Sequence, residues 1–205
     1  MNVRVKYDTV FTAGVFWQDQ LLMTNYTVKL KMLIQSSDIE EQNLALVRCK
    51  EMLLSCFTNS IFINQTNVKQ IKLFTAAGCK LTTLPEEPLD QIVGIVLFCK
   101  LNAVMQDRIQ IVDLELSSDL GDLIVYSHSI DEPLGPFADN GWWNEPEPIH
   151  NDLNSILKKT SAERVVAMQK NKTWRDFNLD WDDTESTDTE SQVVYVEFNK
   201  KHENN

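Results

Sequence analysis

The run from Leu84 to Ser129, LPEEPLDQIVGIVLFCKLNAVMQDRIQIVDLELSSDLGDLIVYSHS, constrains the fold more than any other stretch, because its local signals agree on a buried helix followed by a hairpin. Pro85 and Pro88 bracket a helix start at Glu86 and Glu87. Ile92, Val93, Ile95, Val96, Leu97, Phe98, Leu101, Val104 and Met105 then cover almost every side of the helix, and a helix apolar all round must be covered on several sides. Beyond Gln106, Asp107 and Arg108 the period changes. Ile109, Ile111 and Val112 lead into Leu114 and Leu116, with Asp113 and Glu115 between them, the alternation of a strand with one wet face. Asp119, Leu120, Gly121 and Asp122 supply a turn, and Leu123 to Tyr126 return as a second strand.

The remaining elements are read against this nucleus. Asn2–Val10 alternates in part and suits a strand near a sheet edge, and Thr12–Gln20 reads as a connecting loop. Tyr26, Val28, Leu30, Met32 and Ile34 alternate with Thr27, Lys29, Lys31 and Leu33, the clearest half-buried strand in the chain. Ser37–Glu40 has the S-x-x-E form of a capping box and opens a helix over 38–57. Ile61–Ile63 predicts a short buried strand; Thr66 or Asn67 caps a short helix that stops at Gly78, and Leu81–Leu84 is extended. The resulting fold class is α+β: two layers, with a mainly antiparallel sheet packed by two longer helices and an irregular C-terminal extension. No glycine-rich βα turn supports a doubly wound sheet.

The predicted organisation is a core domain at 1–130, a Pro/Gly/Trp-rich loop at 131–152, a basic helix at 153–175, and an acidic tail at 176–205 that contains a terminal strand at Val193–Phe198. Charge follows these divisions. The total is -11, yet residues 1–106 hold 10 Lys and Arg against 9 Asp and Glu, whereas residues 107–152 hold 11 acids against Arg108 alone. Residues 153–175 carry six bases against Glu163, and 176–205 carry nine acids against Lys200 and Lys201. Such a field repels nucleic-acid phosphates except at the basic segment 158–175, and favours a protein partner with a basic surface. Cys49, Cys56, Cys79 and Cys99 have no CxxC spacing and are expected to be reduced, mostly as small buried thiols. Arg4 and Lys6 lead into Tyr7 and Asp8 rather than an apolar run, and no apolar run reaches the roughly 18 residues of a spanning helix. A soluble cytoplasmic protein with no membrane partner is expected.

Chemical signatures are sparse. The six glycines never cluster into a phosphate-binding loop. His128 lies among Ser127, Ser129 and Asp131, but neighbours on one strand alternate faces and cannot meet as a triad. Asp113, Glu115, Asp119 and Asp122 have the oxygen chemistry of a hard-cation site, and equally that of an exposed hairpin. No catalytic residue, metal or cofactor is assigned. Two aromatic stretches are not explained by composition. Trp142 and Trp143 sit among turn residues, either as a clamp that packs the loop onto the core or as exposed interface anchors. Trp174, Phe177, Leu179 and Trp181, interleaved with Asp176, Asp180, Asp182 and Asp183, have the composition of an acidic and aromatic docking segment. Such a segment fits a groove rimmed by Lys or Arg, or folds back onto its own basic helix.

At DQIVGIVLFCKLNAVMQDRIQIVDLELSSDLGDLIVY and at GPFADNGWWNEP the chain resembles small uncharacterised proteins of T4-like tailed bacteriophages. The resemblance implies a phage origin and the cytoplasm of an infected host, and it brings no catalytic or binding residues. The leading expectation is therefore a non-enzymatic acidic interaction protein that binds or regulates a host or phage macromolecular machine, such as a nucleic-acid-processing complex. Two alternatives stay open: a DNA mimic whose acids at 107–152 and 176–190 occupy the cleft of a nucleic-acid enzyme, and a metal-dependent enzyme using the hairpin carboxylates.

Overall fold

A computed structural model describes residues 3–148 and 173–181. Strands β1 (Arg4–Trp17) and β2 (Gln20–Ile34) form one long hairpin, followed by helix α1 (Ile39–Glu51) and a π-helical turn, Met52–Phe57. Strand β3 (Ile61–Asn64), helix α2 (Val68–Ala76), strand β4 (Leu81–Leu84), helix α3 (Asp90–Met105), and strands β5 (Ile109–Ser118) and β6 (Tyr126–Ser129) complete the core. The six strands lie in the order β4-β3-β1-β2-β5-β6. Pairing is antiparallel from β1 through β2 and β5 to β6, and parallel where β3 joins β1 and β4 joins β3. The fold is thus α+β, with a mixed sheet.

Helices α1 and α3 cover one face of the sheet. Phe11, Ala13, Val15, Tyr26, Val28, Leu30 and Met32 point into this layer and meet Val93, Val96, Leu97 and Leu101. Residues of opposite parity, Phe16, Ile61 and Ile63, form a second, smaller cluster with Ile71 and Phe74 of α2 on the other face. α2 therefore adds a third layer at the parallel end of the sheet. α3 is as buried as its composition requires, with twelve of its sixteen residues inside, among them Lys100.

Several boundaries differ from the sequence expectation. Of the expected loop Thr12–Gln20, residues 12–17 and Gln20 are strand, because the chain reverses in only two residues, Gln18 and Asp19, both left-handed at φ 49° and 59°. β1 is consequently interior, between β2 and β3, and not near an edge. The first helix is capped by Asp38, whose carboxylate accepts from the Glu40 and Glu41 N–H groups, while Ser36 donates to Glu41. α3 starts at Asp90, since Leu89 is still extended at ψ 155°. The return strand begins at Tyr126 and not at Leu123: Asp122 and Leu123 are left-handed, so the turn runs on to Val125. Residues 153–172 of the predicted basic helix 153–175 and the terminal strand at Val193–Phe198 lie outside the described residues, and Trp174 and Arg175 belong to a short 3-10 turn.

Candidate interaction surface

A lysine in the middle of an apolar helix must find acceptors or lose its charge. The Lys100 Nζ donates to three backbone carbonyls of the irregular loop, those of Trp142 (3.0 Å), Glu145 (2.7 Å) and Glu147 (2.6 Å). Burial still pushes its pKa down to about 7, against the opposing pull of Cys56, Glu145 and Glu147. This ammonium ties the loop to α3, and the loop's own indoles tie it to β4 and to itself. Trp142 Nε1 donates to the Thr83 carbonyl at 3.0 Å, Trp143 Nε1 to the Phe137 carbonyl at 3.0 Å, and Phe137 meets Trp143 edge-on at 5.1 Å. Both tryptophans are buried, which is the clamp and not the exposed pair of anchors. Gly141 is required beneath the Trp143 ring, where a Cβ would stand 2.5 Å from Cη2.

The docking segment is seated on the chain's own core. Thr173 and Asp176 form a capping box around a single 3-10 turn, Trp174–Phe177, and Asn178 ends it in the left-handed region at φ 55°. Trp174 is buried and donates from Nε1 to the Pro146 carbonyl at 2.6 Å. The Arg48 guanidinium lies 4.9 Å from the Trp174 ring centroid and 3.8 Å from that of Trp181, while Nε donates to the Leu179 carbonyl at 2.7 Å. Arg108 stacks on Trp181 at 4.2 Å, and Trp181 Nε1 donates to Gln106 Oε1. Trp181 thus contacts two guanidiniums, a strong arrangement for an indole because both cations see its π-face. Phe177 and Leu179 are half-buried against the main core. Among the described residues, the segment's partners include Arg48 of α1, Gln106 and Arg108 after α3, and the Pro146 carbonyl; residues 153–172 of the expected basic helix lie outside the described residues.

The acids are dispersed. Asp113 and Glu115 project from β5 opposite lysines of β2: Lys31 Nζ lies 3.4 Å from Asp113, and Lys29 Nζ lies 3.5 Å from Glu115. Asp119 accepts from Asn25 Nδ2 at 2.8 Å, and Asp180 accepts from Arg175 Nε at 2.9 Å. Asp182 and Asp183 lie outside the described residues. Among the described residues, no three His, Cys, Asp or Glu side chains gather as a metal site. His128 points inward, edge-on to Phe98 at 4.8 Å, with Nδ1 3.3 Å from Glu132; burial lowers its pKa. Ser127 points the other way, into solvent.

Sequence reasoning missed the turn at 119–125 as a surface, because Leu123–Val125 were read as strand. The Ser118 hydroxyl donates to the Asp90 carboxylate at 2.8 Å and accepts from the Gly121 N–H at 3.0 Å. Burial raises the Asp90 pKa despite those bonds. Leu123 N–H returns to the Ser118 carbonyl, Ile124 N–H to that of Gly121, and Asp119 N–H to that of Asn25. This pinned turn turns its apolar side chains outward: Leu120, Leu123 (63% exposed), Ile124 (72%) and Val125. Four branched apolar residues within six positions, interleaved with Asp119 and Asp122, are the signal that was available.

No family model and no curated protein matches the chain. Among solved structures, an uncharacterised protein, WS1659, from Wolinella succinogenes matches at a TM-score of 0.45 and 9% identity, over 64% of this chain and 99% of its own. The 6-pyruvoyl tetrahydropterin synthase of Plasmodium falciparum matches at 0.38 and 12%, over 63% and 99%. A catalytic-residue mutant of the Plasmodium vivax 6-pyruvoyltetrahydropterin synthase matches at 0.39 and 8%, also over 63% and 99%. At these values the likeness assigns no activity.

Proposed function

We propose that this chain is a non-enzymatic acidic interaction protein that docks a protein partner on the turn 119–125. The observation that carries the reading is the outward display of Leu120, Leu123, Ile124 and Val125 on a backbone held by hydrogen bonds. Four exposed apolar side chains within six positions of a hydrogen-bonded turn have the character of a docking surface. Asp119 and Asp122 flank the patch, so the fitting surface is apolar with a Lys or Arg rim. A component of a host or phage nucleic-acid-processing complex has that character, and the resemblance to phage proteins gives the infected cell as the place to seek it. The DNA-mimic alternative has less support, since Asp113 and Glu115 face Lys31 and Lys29 across the sheet.

A photocrosslinking amino acid at Ile124 tests the reading, with a second at exposed Asp8 as the distant control. A partner crosslinked from Ile124 and not from Asp8, lost in Leu123→Asp while the melting temperature is unchanged, supports docking there. Equal labelling from both positions, or capture that survives Leu123→Asp, removes the turn as the binding surface.

A further inference from the structure

The two edges of the sheet differ. β4 is covered: all four of its residues are buried, and the loop after β6 reaches it, with Trp142 Nε1 donating to the Thr83 carbonyl at 3.0 Å. β6 is the other edge, and among the described residues β5 alone pairs with it. The direction of its backbone groups follows from their neighbours. The Ile130 N–H donates to the Val112 carbonyl, so Ile130, and with it His128 and Tyr126, turn their N–H and carbonyl toward β5, while Ser127 and Ser129 turn theirs away. β5 agrees: the Asp119 N–H donates to the Asn25 carbonyl, which assigns Glu115 and Ser117 to β2 and leaves Leu114 and Leu116 for β6. Ser129 is already used, since its N–H donates to Glu132 Oε2 at 3.3 Å and its carbonyl accepts from the Glu132 N–H at 3.0 Å. Ser127 is exposed, and among the described residues its outward N–H and carbonyl have no partner. Tyr126–Ser129 also has no Lys, Pro or bulge of the kind that turns an added strand away.

The surroundings say what strand would fit. Exposed apolar side chains stand at both ends of β6, Ile124 and Val125 before it and Ile130 after it. Asp122 and Asp131 are exposed and paired with no cation among the described residues, and the sequence holds no Lys or Arg between Arg108 and Lys158. We propose that β6 accepts an extended segment of a partner protein as an added strand, one whose alternating apolar residues are bracketed by Lys or Arg. Ser127 bonds its main chain, Ile124, Val125 and Ile130 meet its apolar side chains, and Asp122 and Asp131 meet its basic ends. This form of docking rests on the turn 119–125 being the binding surface, and adds that the partner's backbone is recognised as well as its side chains.

The experiment titrates the full chain with a fluorescein-labelled nine-residue peptide of alternating valine and threonine bracketed by lysine pairs, and reads anisotropy. The peptide binds, and binding is lost when glutamate replaces its lysines or when its central amide nitrogens are methylated. Ser127→Pro removes an outward donor and leaves the β5 ladder intact, and it weakens binding at least about tenfold, the value of one or two main-chain bonds. No saturation up to about 1 mM peptide, or binding indifferent to backbone methylation, overturns the proposal. Should Ser127→Pro fail to fold, the methylated peptide against the wild type decides alone. Leu123→Asp separates the added strand from the docking turn. Binding lost in Leu123→Asp but kept in Ser127→Pro overturns the strand and leaves the turn, whereas binding kept in both removes both. A Ser127 amide already protected from hydrogen exchange without peptide, or a dimer in ultracentrifugation that Ser127→Pro dissolves, gives the edge to the chain itself or to its copy and overturns the proposal.

Discussion

Replacing Lys100 with methionine separates the cost of burying an ammonium from everything else that depends on pH. The side chain is fully buried in α3, and burial takes its pKa from the ordinary 10.5 to about 7. Because the folded value is the lower one, the unfolded chain holds a proton between pH 7 and 10.5 that the folded chain has released. Below pH 7 both states are charged and the full cost of burial is present; as pH rises through the window that cost is relieved and the fold is stabilised. Each pH unit inside the window is worth about 1.4 kcal/mol, so the wild type gains on the order of 2–3 kcal/mol between about pH 7 and 9. Methionine fills a similar volume and carries no proton. It leaves the Trp142, Glu145 and Glu147 carbonyls without their donor, a penalty that is constant with pH and drops out of the comparison.

Urea unfolding of both proteins at about pH 6, 7.5 and 9 reads the difference directly, since shared titrations cancel. The gap between wild type and Lys100→Met must shift in favour of the wild type by that amount from the lowest to the highest pH. A gap that stays flat to within about 0.5 kcal/mol refutes the reasoning. It would mean that the three carbonyl dipoles, with Glu145 and Glu147 behind them, hold the ammonium charged throughout, and that burial is not the dominant influence on it.

Two further outcomes test the placement of the acids and the thiols. Asp113→Asn with Glu115→Gln removes carboxylates paired with half-exposed lysines, so urea stability changes by less than about 1 kcal/mol, and neither protein shows a thermal shift with Mg²⁺ or Mn²⁺. A shift in the wild type that the variant loses would restore the metal-dependent alternative. In a native thiol titration, half-buried Cys79 reacts first, while Cys49 and Cys99, whose thiols burial pushes up to about 12, react only on unfolding; fast labelling of Cys49 would contradict its packing.

What was legible in the sequence was what periodicity records. The α3 helix was visible because it is apolar on every side, and the inner half of β2 because its alternation is strict. The outer halves of β1 and β2 were not. Their turn has neither glycine nor a following asparagine, and Gln18 and Asp19 adopt positive φ that the pairing of Trp17 with Gln20 imposes. The same blindness hid the return to β6. Leu123–Val125 have strand composition, but two left-handed residues and the Ser118–Asp90 anchor keep them in a turn, a contact between residues 28 positions apart that no local window contains.

The aromatic segment shows a different limit. Its indoles stated their needs correctly and are seated on the core and on guanidiniums, whereas Asp176 and Asp180 are bonded within the segment, to Thr173 and Arg175. They did not state where the cations were, because Arg48 and Arg108 sit in elements whose sequences look like ordinary helix and turn. A docking motif specifies the chemistry of its receptor and leaves open whether that receptor is in the same chain. Here the same chain supplies one.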